Sequence, residues 1–213
     1  MAEVIKLTFN PFQENTYIVF DETKECVIFD PGCYEGFEKE ALVKQINDFK
    51  LNPVRLINTH CHIDHVFGNK FVADTYGLGL ECHRGELPVL QAVPQVCMMY
   101  GIPYPEPSPM PISFLEAGDH VIFGNTSLEI RFTPGHSPAS ICFYNAKDGF
   151  VIAGDVLFQE SIGRTDLPGG DFDTLINSIR TQLFTLPDEV RVYPGHGPHT
   201  SIGHEKMHNP FLR

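Results

Sequence analysis

Val54-Arg55-Leu56-Ile57-Asn58-Thr59-His60-Cys61-His62-Ile63-Asp64-His65 carries an apolar run straight into three imidazoles and a carboxylate within six residues. The run has the length and content of a buried strand. Imidazole nitrogen and carboxylate oxygen together suit Zn²⁺, Fe²⁺ or Mn²⁺. The spacing is not His-Glu-x-x-His, which needs a helix to bring two histidines to one face. His60 and His62 instead alternate with Cys61, so an extended backbone directs both rings to one side and Cys61 to the other, into packing. Asp64 and His65 follow as the chain turns. The layout offers ligands for two metals rather than one.

Three further places share this grammar of strand, tight turn and ligand-type side chain. Leu128–Phe132 runs into Thr133-Pro134-Gly135-His136-Ser137, Phe150–Ala153 into Gly154-Asp155, and Val190–Tyr193 into Pro194-Gly195-His196-Gly197. Loops at strand ends on a rigid sheet can hold several ligands in register. His60, His62, Asp64, His65, His136, Asp155 and His196 make two four-coordinate sites if one carboxylate is shared, with positions left open to solvent.

The rest of the chain fits around these loops. Its 213 residues suffice for one large domain, 1–213, with a substantial core. A formal charge of −12 argues against nucleic acid and anionic membranes as partners, since both need a basic face. No window approaches a membrane-spanning length and no secretory signal opens the chain. The six cysteines show no Cys-x-x-Cys, which reads as reduced thiols in a cytoplasmic protein.

Short strands are expected at Val4–Phe9, Tyr17–Phe20 and Cys26–Phe29, a helix from about Phe37 to Phe49, a strand at Val54–Asn58, a helix at Asn69–Tyr76 and a strand at Gly79–Cys82. The second half repeats the rhythm, with strands near Val121, Leu128, Ser140, Phe150 and Val190 and helices at Asp173–Phe184 and Ser201–His208. Pro88–Pro111, with seven prolines, reads as a helix fragment followed by an irregular flap that contacts substrate. His83, His120, His204 and His208 read as ordinary surface histidines.

His-x-His-x-Asp-His, then a Gly-His, an Asp after a strand and a final Gly-His, in this order from Asp30 to His196, resembles the metallo-β-lactamase fold superfamily. The resemblance implies an α/β fold, an αββα sandwich with a metal cleft at one edge. It implies that His60, His62 and His136 bind one divalent ion and Asp64, His65 and His196 a second, with Asp155 bridging. Asp30 matches an early acidic position that supports the metal loop without ligating.

Within the superfamily the chain is most similar to glyoxalase II-like hydrolases, which keep all seven ligands. True β-lactamases usually place Cys where Asp155 stands, and flavodiiron reductases Glu where His62 stands. Ser161-Ile162-Gly163-Arg164-Thr165-Asp166-Leu167-Pro168-Gly169-Gly170-Asp171 resembles the short bacterial hydroxyacylglutathione hydrolases. That branch implies cleavage of a thioester, S-lactoylglutathione or a related hydroxyacyl thioester, by a hydroxide held between two metals, with zinc first and iron or manganese as alternatives. Asp64 would both ligate and orient the water. Only 17 residues follow His196, leaving no room for the helical domain that full-length glyoxalase II uses to grip glutathione. Arg164 is therefore the expected substrate contact, although a simple ion pair with Asp166 would equally explain it. A persulfide dioxygenase with a single iron and another hydrolase of the fold, such as a lactonase, are the alternative activities. The oligomeric state is left open.

Overall fold

Why strands end where ligand-type side chains begin is visible in the computed structural model, which describes residues 1–104 and 106–212. Pro105, inside the expected flap, and Arg213 lie outside the described residues. Contacts divide the chain into two units. The first holds Met1–Phe114 and the hairpin tip Ile122–Thr126; the second holds the remainder.

In the first unit, strands β1 (Glu3–Phe9), β2 (Glu14–Phe20) and β3 (Glu25–Phe29) form an antiparallel meander. Helix α1 (Gly36–Asp48) then crosses to β4 (Asn52–Ile57), which pairs parallel with β3. Helices α2 (Ile63–Val66) and α3 (Asn69–Tyr76) lead to β5 (Leu80–Cys82), and α4 (Leu87–Tyr100) to β6 (Ser113–Phe114), both parallel additions. The six strands lie in sequence order. Parallel pairing puts the C-terminal ends of β3 and β4 side by side, with Phe29 opposite Ile57. Asp30 and the His60 segment therefore leave the sheet at the same edge, where α/β sheets place ligand sites.

Three local differences from the sequence expectation have physical causes. Strand β2 begins at Glu14 rather than Tyr17, because Glu14, Asn15 and Thr16 are buried despite their polarity. Thr16 Oγ1 donates to the Asp30 carbonyl at 2.8 Å, which makes that burial tolerable. Residues 87–100 form one helix through Pro94 rather than a fragment. Leu90, Val93 and Cys97 bury one face at helical spacing, and that burial offsets the cost of an interior proline. The short strand β6 carries too few residues for a periodic signal.

The second unit is built on β7 (His120–Phe123), β8 (Thr126–Phe132), β9 (Ile141–Asn145), β10 (Phe150–Gly154), a small hairpin β11 (Leu157–Phe158) and β12 (Ser161–Ile162), helix α5 (Phe172–Ser178), β13 (Arg191–Pro194), β14 (Thr200–Ser201) and α6 (Ile202–His208). Its six-stranded sheet runs β14-β13-β10-β9-β8-β7. Strands β8 and β10 both pair antiparallel with β9, and β13 pairs parallel with β10. Strands β8, β10 and β13 thus point the same way, and the turns bearing His136, Asp155 and His196 leave one edge. Each unit has its own apolar core, around Ile18, Phe20, Ile28 and Leu56 in the first and Val151, Ala153, Leu175 and Val192 in the second.

All six cysteines are buried, and none forms a disulfide. Burial pushes the Cys26 and Cys33 thiols up to about 12, consistent with packing rather than thiolate chemistry. Among the described residues no helix is long and apolar enough to cross a membrane.

Candidate metal centre

The first unit gathers His60, His62, Asp64 and His65 beyond β4. His62 keeps extended geometry (φ −67°, ψ 157°) as it caps α2, and Asp64 and His65 sit in that helix's single turn. The rings of His60 and His62 lie 4.8 Å apart, edge to face, and those of His60 and His65 4.1 Å apart. His60 and His65 are fully buried and Asp64 nearly so. One ligand atom each from Asp30, His60 and His65 fall within 4.8 Å of one another.

Asp30 organises this group. Its backbone takes a left-handed turn (φ +47°) after β3, a conformation aspartate tolerates better than most residues. Oδ1 accepts from the Thr59 backbone N–H at 2.7 Å and from Asn58 Nδ2 at 3.2 Å, while Oδ2 accepts from Thr59 Oγ1 at 2.6 Å. Oδ2 also stands 3.2 Å from His65 Nδ1. A carboxylate there draws the imidazole proton to Nδ1 and turns the Nε2 lone pair outward, toward Asp64 Oδ2 at 3.7 Å. The Nδ1 of His60 likewise faces Thr59 Oγ1, at 3.1 Å.

Glu14 is a residue the sequence reading missed, since nothing marks an acidic side chain at a strand start as buried. Burial, with the Asp30 and Asp64 charges beside it, pushes its carboxyl well above the ordinary range against the opposing pull of His65. A Cβ on Gly32 would meet Glu14 Oε2 at 2.1 Å and the Asp64 carbonyl at 2.7 Å, so only glycine fits there. Three acids, Glu14, Asp30 and Asp64, are thus buried in one place.

The second unit brings His136, Asp155 and His196 together. His136 Nε2 and His196 Nε2 each lie 3.5 Å from the same oxygen of Asp155, Oδ2. The His136 Nδ1 faces the Arg164 backbone carbonyl at 2.7 Å, which again leaves Nε2 for a ligand. Asp155 and His136 are buried, and His196, partly exposed, has Phe158 edge-on at 6.2 Å. Parallel pairing of Gly154 with Pro194 sets Asp155 beside His196.

Imidazoles whose Nδ1 atoms face protein oxygens, leaving Nε2 to a metal, and carboxylates buried among them fit divalent ions of the zinc, iron and manganese type. Each unit therefore holds a His/Asp cluster of the chemistry that a binuclear site uses.

Other predicted residues fall outside these clusters. The Arg164 guanidinium forms a two-pronged ion pair with Asp166, at 2.7 Å for both contacts, and both side chains are exposed. The Arg164 hydrogen bonds hold the Asp166 carboxyl down at about 2. The Cys61 thiol points to Cys82; that hydrogen bond and burial raise it well above the usual thiol range. His83 accepts from Gly85, His120 contacts Ser127 and His204 contacts Glu160.

The Metallo-beta-lactamase superfamily profile matches residues 9–196. The hydroxyacylglutathione hydrolase GloC of Haemophilus influenzae is 36% identical over 211 residues, covering 99% of this chain and 97% of its own. The crystal structure of TTHA1623 in a di-iron-bound form, at 36% identity, gives a TM-score of 0.88 over 98% of this chain and 100% of that one. The crystal structure of the BLEG-1 B3 metallo-beta-lactamase, at 37% identity, gives 0.88 over 100% and 99%. Histidines and aspartates at sheet edges, a profile spanning nearly the whole chain and full-length relatives all agree: the chain belongs to the metallo-beta-lactamase superfamily, has its α/β sandwich fold, and is a metal-dependent hydrolase.

Proposed function

We propose that this hydrolase is binuclear and cleaves S-lactoylglutathione or a related hydroxyacyl thioester. The observation that carries the reading is Asp155 Oδ2, which lies 3.5 Å from the Nε2 atoms of both His136 and His196 and so would let one carboxylate serve two ions. The likeness to GloC supports the thioester substrate.

His60, His62 and His136 would hold one ion, Asp64, His65 and His196 the other, and Asp155 both, with zinc the first choice. Bound divalent ions supply the Lewis acidity that brings a water to hydroxide near neutral pH and polarises a carbonyl. The chain's own work is orientation. Asp30, Thr59 and the Arg164 carbonyl fix three imidazoles with Nε2 outward. Asp64, whose Oδ2 lies 3.7 Å from His65 Nε2, would serve as a ligand and could accept a proton from water. A thiolate leaves readily, so no strong acid is required of the chain. Arg164, exposed beside Asp166, is the cation assigned to the substrate's carboxylate.

The likeness to a B3 metallo-beta-lactamase favours a second reading, hydrolysis of a β-lactam amide. One experiment separates these: turnover of S-lactoylglutathione, simpler acyl thioesters, a β-lactam and a persulfide, with elemental analysis of the same sample. Thioester turnover at two ions per chain is expected. Oxygen uptake with the persulfide at one iron, or β-lactam turnover without thioesterase activity, overturns the proposal.

A further inference from the structure

The first unit holds two buried amides that the proposed chemistry does not use. Asn58 and Asn69 are both fully buried, and together they join the segment after α4 to His65. We propose that Asn69 is a positioning residue for His65, acting through Asn58 and Asp30, and that Ser108 ties the segment after α4 into the same chain of contacts. This rests on the reading of His65 as a metal ligand.

The polarity of the chain of contacts follows from its end. Asn58 donates its Nδ2 hydrogens to Asp30 Oδ1 at 3.2 Å and to the His65 carbonyl at 3.0 Å. Both partners are acceptors only, so the nitrogen end of the Asn58 amide must face them. Its oxygen end then faces Asn69, which must answer with its own nitrogen, and does so at 2.7 Å. The second Nδ2 hydrogen of Asn69 goes to Ser108 Oγ at 2.8 Å. Asn69 thereby fixes which way Asn58 points. Asn58, with Thr59, fixes the Asp30 carboxylate whose other oxygen lies 3.2 Å from His65 Nδ1.

Packing alone does not explain this residue. Asn69 Oδ1 is buried with no hydrogen-bond partner among the described residues. An apolar side chain of the same size would avoid that penalty. What the fold uses is the donor end. The far end is also tethered: Ser108 N–H donates to Tyr104 Oη at 2.7 Å, and the Tyr104 ring lies 6.2 Å from Phe67, two residues beyond His65. The segment that follows α4 and the metal-ligand helix therefore share one hydrogen-bonded frame.

The test compares wild type, Asn69→Leu, Ser108→Ala and His65→Ala by chelator competition for both Zn²⁺ ions, by the Co²⁺ absorption spectrum and by melting of the metal-free protein. Asn69→Leu should weaken one ion about tenfold or more, as removal of outer-shell partners does, alter its Co²⁺ bands and spare the other ion. Ser108→Ala, half-buried and easily accommodated, should weaken the same ion about threefold, the worth of one neutral hydrogen bond, with little change in melting. Wild-type affinity for both ions in the two variants, even with lowered melting, makes the role structural and overturns the proposal. If Asn69→Leu does not fold, Ser108→Ala decides. His65→Ala that keeps both ions at wild-type affinity removes His65 from the ligand set and overturns the underlying reading with it. Loss of one ion in His65→Ala, with neither Asn69→Leu nor Ser108→Ala affected, sinks the inference alone.

Discussion

Asp30→Asn separates the organising role of this residue from its bulk. The amide is isosteric, and its oxygen can still accept from the Thr59 and Asn58 donors that now meet Oδ1. Its NH₂ then occupies the place of Oδ2, 3.2 Å from His65 Nδ1. Two donors cannot face each other, so the imidazole must move its proton to Nε2, the atom a metal needs free. In the metal-free protein the variant loses the buried charge-assisted hydrogen bond from Thr59 Oγ1 to Oδ2, about 1.5–3 kcal/mol. For a chain of this size that lowers the melting temperature by about 3–12 °C. Affinity for the ion at His65 should fall about 10–100-fold, or about 1.4–2.7 kcal/mol. Nitrogen-15 imidazole spectra would read the tautomer directly, and chelator competition the affinity. If Asp30→Asn shows an Nδ1–H His65 and binds both ions as wild type does, the orientation argument is refuted.

Asp21 accepts from Thr23, Asn125 and Thr126. Burial opposes its charge, but these hydrogen bonds outweigh that and hold its carboxyl below the ordinary range. A depressed carboxyl gives stability that is full above the ordinary aspartate value and is lost as pH falls through the folded value. Denaturant unfolding across acid pH should therefore show Asp21→Asn less stable than wild type at neutrality, with the gap closing as pH drops. Gly163→Ala would place a Cβ 1.9 Å from the Asp155 carbonyl oxygen. Strain of about 1–3 kcal/mol should appear as a lower melting temperature together with weakened metal retention; unaltered retention would contradict the close approach. Arg164→Ala should raise KM for an anionic thioester, leave kcat and melting near wild type, and preserve metal content, because the backbone carbonyl that faces His136 is kept.

What the chain reveals in linear form follows from where its chemistry resides. His60, His62, Asp64, His65, His136, Asp155 and His196 announce themselves because side-chain type carries ligand chemistry and each follows an apolar run. The strand ends were legible for the same reason. Glu14, Asn58 and Asn69 were not, because polar residues near strands usually face water, and only long-range contacts such as Asn69 to Ser108 reveal their burial. The Arg164 loop shows a second limit. The atom that meets His136 is a backbone carbonyl, which any residue possesses, while the conspicuous guanidinium pairs with Asp166. Helix α4 shows a third: its seven-proline neighbourhood suggested irregular chain, yet the buried face of Leu90, Val93 and Cys97 decided the outcome.

The binuclear proposal turns on Asp155 as a carboxylate shared by two ions. Elemental analysis of the purified protein beside its Asp155→Asn variant, with S-lactoylglutathione hydrolysis followed on both, tests it most directly. Two ions per wild-type chain with thioester turnover are expected, and loss of at least one ion and most of the turnover in the variant. Full metal content and unchanged turnover in Asp155→Asn would contradict the account.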